Sequence, residues 1–358
     1  MRILVGHNYY QQPGGEDSVF RAHVKLLKDF GHEVYLYERR NDEIKSNLFS
    51  RLNQLRSLRF SQVSYWQVRK VIQSFRPDVA HFHNTFFMMT PSVFYACQDE
   101  GIPVVVSLHN FRLMCINGLY FRDNAPCEDC SRDKWAGVKH HCYRESFLLS
   151  AVLTDMILHH RRKKTWSSVV NRIIVATDFT RLKHEQAGIP ASKIAMLPHF
   201  YPDPVEPMAH APKDYFLYAG RLSQEKGIEI LLKAWKQIKS MPLYIVGDGP
   251  LKDKIATYIK DEGLDNVHLA GFVERDQYLQ LLAQARCVVV PSVCYDNFPQ
   301  VVVEAYAYGV GVLTSDTGSF KEFVDDGKTG RLFKTGHAGD LILKINELIN
   351  NAPLCRQM

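Results

Sequence analysis

A short β-branched run, a turn and an amphipathic helix follow one another repeatedly along this chain, and the pattern breaks once, at proline. The break is PHFYPDPVEPMAHAP, residues 198–212, with Pro198, Pro202, Pro204, Pro207 and Pro212. Proline fixes φ and removes an amide donor, so the stretch reads as a semi-extended linker. The expected organisation is a first domain over residues 1–197, a linker over 198–212 and a second domain over 213–358. A length of 358 residues suits two domains with cores of their own.

In the first half, strands are expected at Arg2–Val5, Glu33–Tyr37, Val79–Phe82, Val104–Ser107, Arg172–Val175 and Lys193–Met196. A helix after Gly15 follows from the near-helical spacing of Val19, Phe20, Val24, Leu27 and Phe30. Glu16 and Asp17 in its first turn suit the helix dipole. In the second half, strands are expected at Tyr215–Ala219, Leu243–Val246, Val267–Ala270, Cys287–Val290 and Val312–Thr314, with helices at Ile228–Ile238, Pro250–Lys260, Asp276–Ala283 and around Leu341–Ile349. Strictly alternating β and α elements imply two doubly wound α/β domains with parallel sheets. Ligands in such folds bind at strand C-terminal ends, so the chemistry is expected in the βα loops.

Three loops carry candidate chemistry. Gly14-Gly15 precedes the first helix, where backbone can approach a ligand and a helix N-terminus favours an anion; a plain tight turn has the same appearance. Gly220-Arg221-Leu222-Ser223-Gln224-Glu225-Lys226-Gly227 places a guanidinium and an ammonium five residues apart after a strand, a pair suited to a diphosphate. The third loop, residues 291–299, opens a helix and holds Asp296, with Glu304 inside the helix in VVVEAYA. An unpaired Glu there would be costly to bury, which points to a ligand partner; a Glu on an exposed stripe is the plain alternative.

The segments GRLSQEKG, VGDGPLKDKI, VHLAGFVERDQYLQLLAQARCVVVPS and DNFPQVVVEAYAYGVGVLTSDTGSFKEFVDDGKTGRLF resemble the retaining nucleotide-sugar glycosyltransferases of family 4. The Gly-Gly loop, Gly31-His32-Glu33-Val34 and VVVSLH ending in His109 extend the resemblance over nearly the whole chain. It implies the GT-B fold, two Rossmann-like doubly wound domains facing each other across a cleft. By matching position, it implies that Arg221 and Lys226 hold the donor diphosphate and Glu304 the ribose hydroxyls. Asp296 takes the first position of the E-x7-E motif, near the transferred sugar. Asn297, Phe298 and the amides of Gln300 and Val301 would contact the donor, Gly271 and Phe272 would line its base pocket, and His109 would hydrogen-bond the sugar. Gly14 and Gly15 would sit near the donor phosphate or the acceptor.

The implied donor is a UDP- or GDP-sugar, with no cofactor required for catalysis because protein cations replace a metal. The implied acceptor is a saccharide or a polyprenyl-diphosphate-linked saccharide, as in bacterial surface polysaccharide synthesis. The chain departs from the family pattern in Asp296, one methylene shorter than Glu, and in Asn297 and Pro299, which replace glycines. Family members usually continue into a helix returning to the first domain, whereas this sequence stops at Met358.

Composition narrows the classes further. Apolar residues make 46% and charged residues 23%, which excludes collagenous, coiled-coil and largely disordered chains. No apolar run reaches the roughly eighteen residues of a membrane span. A strand-like run begins at Arg2, and eight cysteines are too few for a disulfide scaffold, so the cytoplasm is the expected compartment. The net charge of +6 divides into +9 over residues 1–200 and −3 over 201–358. Two basic, acid-free stretches stand out, 51–76 and 158–172, interleaved with aromatic and aliphatic residues. They suit peripheral contact with anionic lipid at the inner face of the cytoplasmic membrane, or form ordinary solvated helix faces.

Cys115, Cys127, Cys130 and Cys142 give C-x11-C-x2-C-x11-C, a spacing compatible with structural zinc, with His140 and His141 as spare ligands; unliganded reduced thiols are the plain alternative. Two competing functions follow from the same residues. One is a nucleotide-sugar epimerase or hydrolase using the same donor site. The other is a zinc-bearing nucleic-acid-binding protein, disfavoured because the charge runs flank an ordered α/β pattern, so no nucleic-acid partner is expected.

Overall fold

The computed structural model describes residues 1–12, 14–43, 57–205, 214–351, 354–355 and 358. By its internal contacts the chain divides into two units, Met1–Leu119 with Glu128–Pro202, and Tyr120–Cys127 with Asp203–Met358.

The first unit is built on a six-stranded parallel sheet of β1 (Arg2–Tyr9), β2 (Glu33–Arg40), β3 (Val79–Phe82), β4 (Val104–Ser107), β7 (Arg172–Val175) and β8 (Ile194–Met196). Its order is β2-β1-β3-β4-β7-β8, a doubly wound arrangement that reverses direction between β1 and β3. The short hairpin of β5 (Phe121–Arg122) and β6 (Ala125–Pro126) groups with the second unit. The longer helices of the first unit are α1 (Gly15–Asp29), α2 (Gln62–Phe75), α3 (Ser92–Asp99), α4 (Phe147–Arg162) and α5 (Asp178–Gln186). Leu4, Phe82, Val93, Phe94, Val104 and Ile173 form one core; Ile3, Val5, Phe20 and Val24 form another under α1.

The strand β1 runs four residues past the expected Val5 because its polar end is paired in the interior. Asn8 donates from Nδ2 to Asn41 Oδ1 at 2.9 Å and accepts from the Met88 amide at 2.8 Å. The first part of the proline-rich stretch is likewise anchored, with Phe200 stacked on His23 at 5.7 Å between ring centroids. The later part, residues 206–213, lies outside the described residues.

The second unit has a parallel sheet of β9 (Phe216–Ala219), β10 (Leu243–Val246), β11 (Val267–Gly271), β12 (Cys287–Val290), β13 (Val312–Ser315) and β14 (Gly330–Phe333). The order β11-β10-β9-β12-β13-β14 is that of a Rossmann sheet, with the direction of winding reversing between β9 and β12. The edge strand β14 was not expected from sequence, since GRLF is too short and mixed to show a period. Its pairing with β13 over Val312↔Gly330 to Ser315↔Phe333 places it. Helices α6 (Ile228–Trp235), α7 (Lys252–Asp261), α8 (Arg275–Gln284), α9 (Gln300–Ala307) and α10 (Ala338–Asn350) flank the sheet. Two apolar clusters cover its strands, one around Trp235, Leu231 and Ile345, the other around Leu217, Val302 and Phe320.

Candidate functional site

In the second unit, the loop after β9 and the loop after β12 lie at neighbouring strand ends, on either side of the reversal point. Gly227, in the first loop, has φ of +70°, and a Cβ there would lie 1.8 Å from the Pro291 carbonyl oxygen. Only glycine permits this approach, so the two loops are held in direct backbone contact. The Val293 amide donates to the Glu225 carbonyl at 2.9 Å and adds a second tie.

The consequence is an ion pair between residues seventy apart. Lys226 Nζ donates to Asp296 Oδ1 at 2.5 Å, with side chains 26% and 14% exposed. Burial opposes the Lys226 charge, but Asp296 beside it prevails and holds the ammonium above its ordinary value. Arg221 donates from Nη2 to Glu225 Oε1 at 2.6 Å, and Ser223 Oγ donates to the same oxygen at 2.6 Å. Burial pushes the Glu225 carboxyl up, and the Arg221 charge with the Ser223 hydrogen bond outweighs it, leaving the group below its usual range.

Helix α9 starts behind Pro299, which has φ of −62° and supplies no N–H. The first amides presented at that end are therefore those of Gln300 and Val301. Around this end, several buried polar atoms have no hydrogen-bond partner among the described residues: Asp296 Oδ2, both amide atoms of Asn297, and Gln300 Nε2. Buried polar groups are normally satisfied, so four such atoms on three neighbouring residues mark a place where a polar ligand would complete the bonding.

Glu304 is buried in α9, not on an exposed stripe, and it is paired within the chain. Arg275 Nη1 donates to its Oε1 at 2.6 Å and Tyr278 Oη to its Oε2 at 2.5 Å, both from α8. The partners come from a neighbouring helix, which local spacing does not reveal. Gly271 closes β11 at φ of +69°, and Phe272 after it is exposed. Phe298 packs edge-on to Phe323 at 4.3 Å.

In the first unit, the ends of β3 and β4 bring histidines together. His109 Nε2 and His83 Nδ1 share a hydrogen bond at 3.0 Å, and the rings stack at 5.2 Å. Burial holds both well below the ordinary imidazole value, so both are neutral at pH 7. Gly14 precedes α1, its amide donating to Asp17 Oδ2 at 3.0 Å, and a Cβ there would meet no atom within 4 Å. Gly15 opens the helix itself.

Two further polar residues lie in this region, Arg112, which the sequence pattern did not mark, and Glu16, read from sequence only as a residue that suits the helix dipole. Glu16 accepts from Asn84 Nδ2 at 3.0 Å, and burial together with neighbouring Asp17 pushes its carboxyl up to about 8. Arg112 lies over the Phe86 ring at 4.1 Å and donates to the Ile116 carbonyl at 3.2 Å. A cavity of about 80 Å³ is lined by His83, Asn84, His109, Asn110 and Arg112 together with apolar side chains including Leu58 and Trp166.

The four cysteines are free thiols, with Cys115 and Cys130 buried and Cys127 and Cys142 half-buried. The Cys130 thiol is hydrogen-bonded to Cys115, which lowers it to about 6. Cys142 packs against the apolar cluster that contains Phe86 and Leu153. Among the described residues, the groups of three ligand atoms within 4.8 Å of one another contain no cysteine. Of the basic run 51–76, residues 51–56 lie outside the described residues. Arg59 is bound to Asp155 and Arg69 to Glu100, with Val63 and Trp66 exposed on α2. Among the described residues, no helix is long and apolar enough to cross a membrane.

Known proteins match the chain along its whole length. The Glycosyltransferase Family 4 profile matches residues 13–202, and the Glycosyl transferases group 1 profile matches residues 206–358. The lipopolysaccharide 1,2-N-acetylglucosaminetransferase of Salmonella typhimurium is 32% identical over 183 residues, covering 44% of this chain and 48% of that protein. The alpha-D-kanosaminyltransferase of Streptomyces kanamyceticus is 23% identical over 268 residues, covering 72% and 64% respectively. The match thus spans less than two thirds of either curated relative. Anabaena HepE, crystallised in complex with UDP-glucose, superimposes with a TM-score of 0.67 at 18% identity, covering 100% of this chain and 92% of that one. Sucrose-phosphate synthase from Thermosynechococcus elongatus gives a TM-score of 0.69 at 18% identity, covering 99% and 91%. These structural likenesses identify the fold as GT-B. Since the first profile alone takes in more than half of the residues, the chain belongs to glycosyltransferase family 4.

Proposed function

We propose that the protein is a retaining glycosyltransferase that moves a sugar from a nucleoside-diphosphate donor, a UDP- or GDP-sugar, to a saccharide or lipid-linked saccharide acceptor. The observation that carries this reading is the group of buried, partnerless polar atoms on Asp296, Asn297 and Gln300, beside Lys226 and the N-terminus of α9. A sugar diphosphate supplies both the hydroxyls and the negative charge that such a place lacks. The UDP-glucose complex of the structurally similar HepE supports a donor of this class.

In the proposed reaction, the bond from sugar to phosphate breaks while the acceptor oxygen bonds the sugar on the same face. The acceptor proton passes to the departing phosphate oxygen. Lys226, Arg221 and the amides of Gln300 and Val301 stabilise the charge that grows on the leaving diphosphate. Asp296 orients Lys226 before the donor arrives and takes sugar hydroxyls afterwards. Glu304 exchanges Arg275 and Tyr278 for the two ribose hydroxyls. Neutral His109 offers the acceptor-side unit a hydrogen-bonding group for a sugar hydroxyl. The exposed Trp66 and Val63 and the basic residues of 158–172 provide for peripheral contact with anionic lipid.

Calorimetric titration with UDP and GDP tests the donor assignment. Glu304→Ala is expected to weaken binding of the preferred nucleotide by about 2 kcal/mol, the cost of losing hydrogen bonds to a charged group. Unchanged affinity would remove the ribose role of Glu304.

A further inference from the structure

We propose that His23, His81 and His83 form a binding site for a divalent transition metal, with zinc the ion that suits three imidazoles best. His23 lies on the inner face of α1, while His81 and His83 are two residues apart at the end of β3 and share one face of the sheet. One nitrogen from each ring lies within 4.8 Å of the other two. The ring centroids are 4.4 Å apart for His81 and His83, 5.0 Å for His23 and His83, and 5.7 Å for His23 and His81.

Two ring nitrogens of the group lack other work. Nε2 of His23 and Nε2 of His83 are buried with no hydrogen-bond partner among the described residues. Three imidazoles and one open position are a common zinc arrangement, and nickel, copper and cobalt accept the same donors. Metal-bound imidazoles need outer partners. His81 Nε2 is held by Ser107 Oγ at 2.8 Å, and His83 Nδ1 by His109 Nε2 at 3.0 Å. Negative charge is near: buried Asp17 bonds His7 Nε2 at 2.8 Å, and the His7 ring is 6.3 Å from that of His83.

The site gives the metal a specific effect. A metal on His83 Nε2 leaves the proton on Nδ1, which then donates to His109 Nε2. His109 must then carry its own proton on Nδ1, its buried atom without a partner among the described residues. The metal thereby fixes the tautomer of His109 and acts as a positioning device. This assignment is independent of the donor-site reading, because all its residues lie in the first unit.

The test is titration of the chelator-stripped, reduced full-length protein with Co2+. The expected result is one equivalent bound, with visible d–d bands and no thiolate charge-transfer band, and displacement by Zn2+. His23→Gln and His83→Gln are expected to weaken Co2+ binding about a hundredfold or more, while Cys115→Ser leaves it unchanged. Absence of d–d bands in the wild-type protein overturns the proposal, as does a thiolate band or unaltered affinity in both histidine variants. The wild-type titration decides alone if a variant fails to fold. Nitrogen-15 shifts of His109 should settle to the Nδ1–H form when Zn2+ is added; a metal-bound protein with the opposite tautomer refutes the positioning effect.

Discussion

Replacing Lys226 with methionine separates the structural work of this residue from its proposed part in donor binding. The change keeps the aliphatic stem and removes the charge that Asp296 faces at 2.5 Å. Both side chains are less than a third exposed, so water screens the pair only partly. Removing one member of a fully buried pair costs about 3–5 kcal/mol, and the residual exposure here reduces this to about 2–3 kcal/mol. For a unit of this size, each kcal/mol lowers the melting temperature by about 2–4 °C, so the donor-side transition should fall by roughly 4–12 °C. The cost is the stranded charge of Asp296, whose other oxygen already lacks a partner among the described residues. Adding Asp296→Asn removes that charge and should restore at least half of the lost stability. It should not restore UDP binding, which on the proposed reading needs the ammonium itself. Scanning calorimetry of the donor-free proteins gives the answer. A Lys226→Met variant that melts with the wild type, or a double variant no more stable than the single one, would refute the assignment of the cost to an isolated carboxylate.

Three other outcomes are expected. Gly227→Ala should prevent the two donor loops from closing, since its Cβ would lie 1.8 Å from the Pro291 oxygen at φ of +70°; a variant with wild-type melting and UDP affinity would show that the contact is dispensable. Glu16 titrates at about 8 in the folded chain, above its unfolded value, so the unfolded state holds fewer protons as pH rises from about 4.5 to 8 and stability falls by up to about 1.4 kcal/mol per pH unit. Glu16→Gln should therefore match the wild type at pH 4 and melt higher at pH 8, and a constant difference across that range would contradict the raised value. Arg275→Ala should free the Glu304 carboxylate and tighten UDP binding a few-fold, because Arg275 is half exposed and its pair contributes about 0.5–1 kcal/mol; weaker binding in calorimetry would mean that Arg275 itself contacts the donor.

The alternating pattern of β-branched runs and helices made most strands readable, because parallel strands buried on both faces need apolar residues throughout. Val79–Phe82, Val104–Ser107 and Cys287–Val290 have the expected bounds. The end of β1 was hidden because His7, Asn8 and Tyr9 look like loop residues until their buried partners are known. Arg221, Lys226, Asp296 and Glu304 were each visible as residues in βα loops or helix starts. Their pairings were not. Lys226 meets Asp296 only because β9 and β12 are neighbours, and Glu304 is neutralised by Arg275 and Tyr278 from another helix. The histidine group was hidden for the same reason: His23 is far in sequence from His81 and His83, and only the packing of α1 on the sheet unites them.

The strand order of the second unit has a consequence for how the protein is made. β9 is flanked by β10 on one side and by β12 on the other, and β12 is synthesised only after both β10 and β11. A growing chain that has completed β9, β10 and β11 already possesses Arg221 and Lys226, yet it has neither Asp296 nor the start of α9. Long-range parallel pairing is slow and follows local folding. The proposed diphosphate cradle is therefore the last part of that sheet's middle to be finished, and on that reading a ribosome-bound intermediate lacks half of the groups that would hold a nucleotide sugar. Donor binding can thus serve as a reporter of completed synthesis, appearing only once β12 has taken its place beside β9.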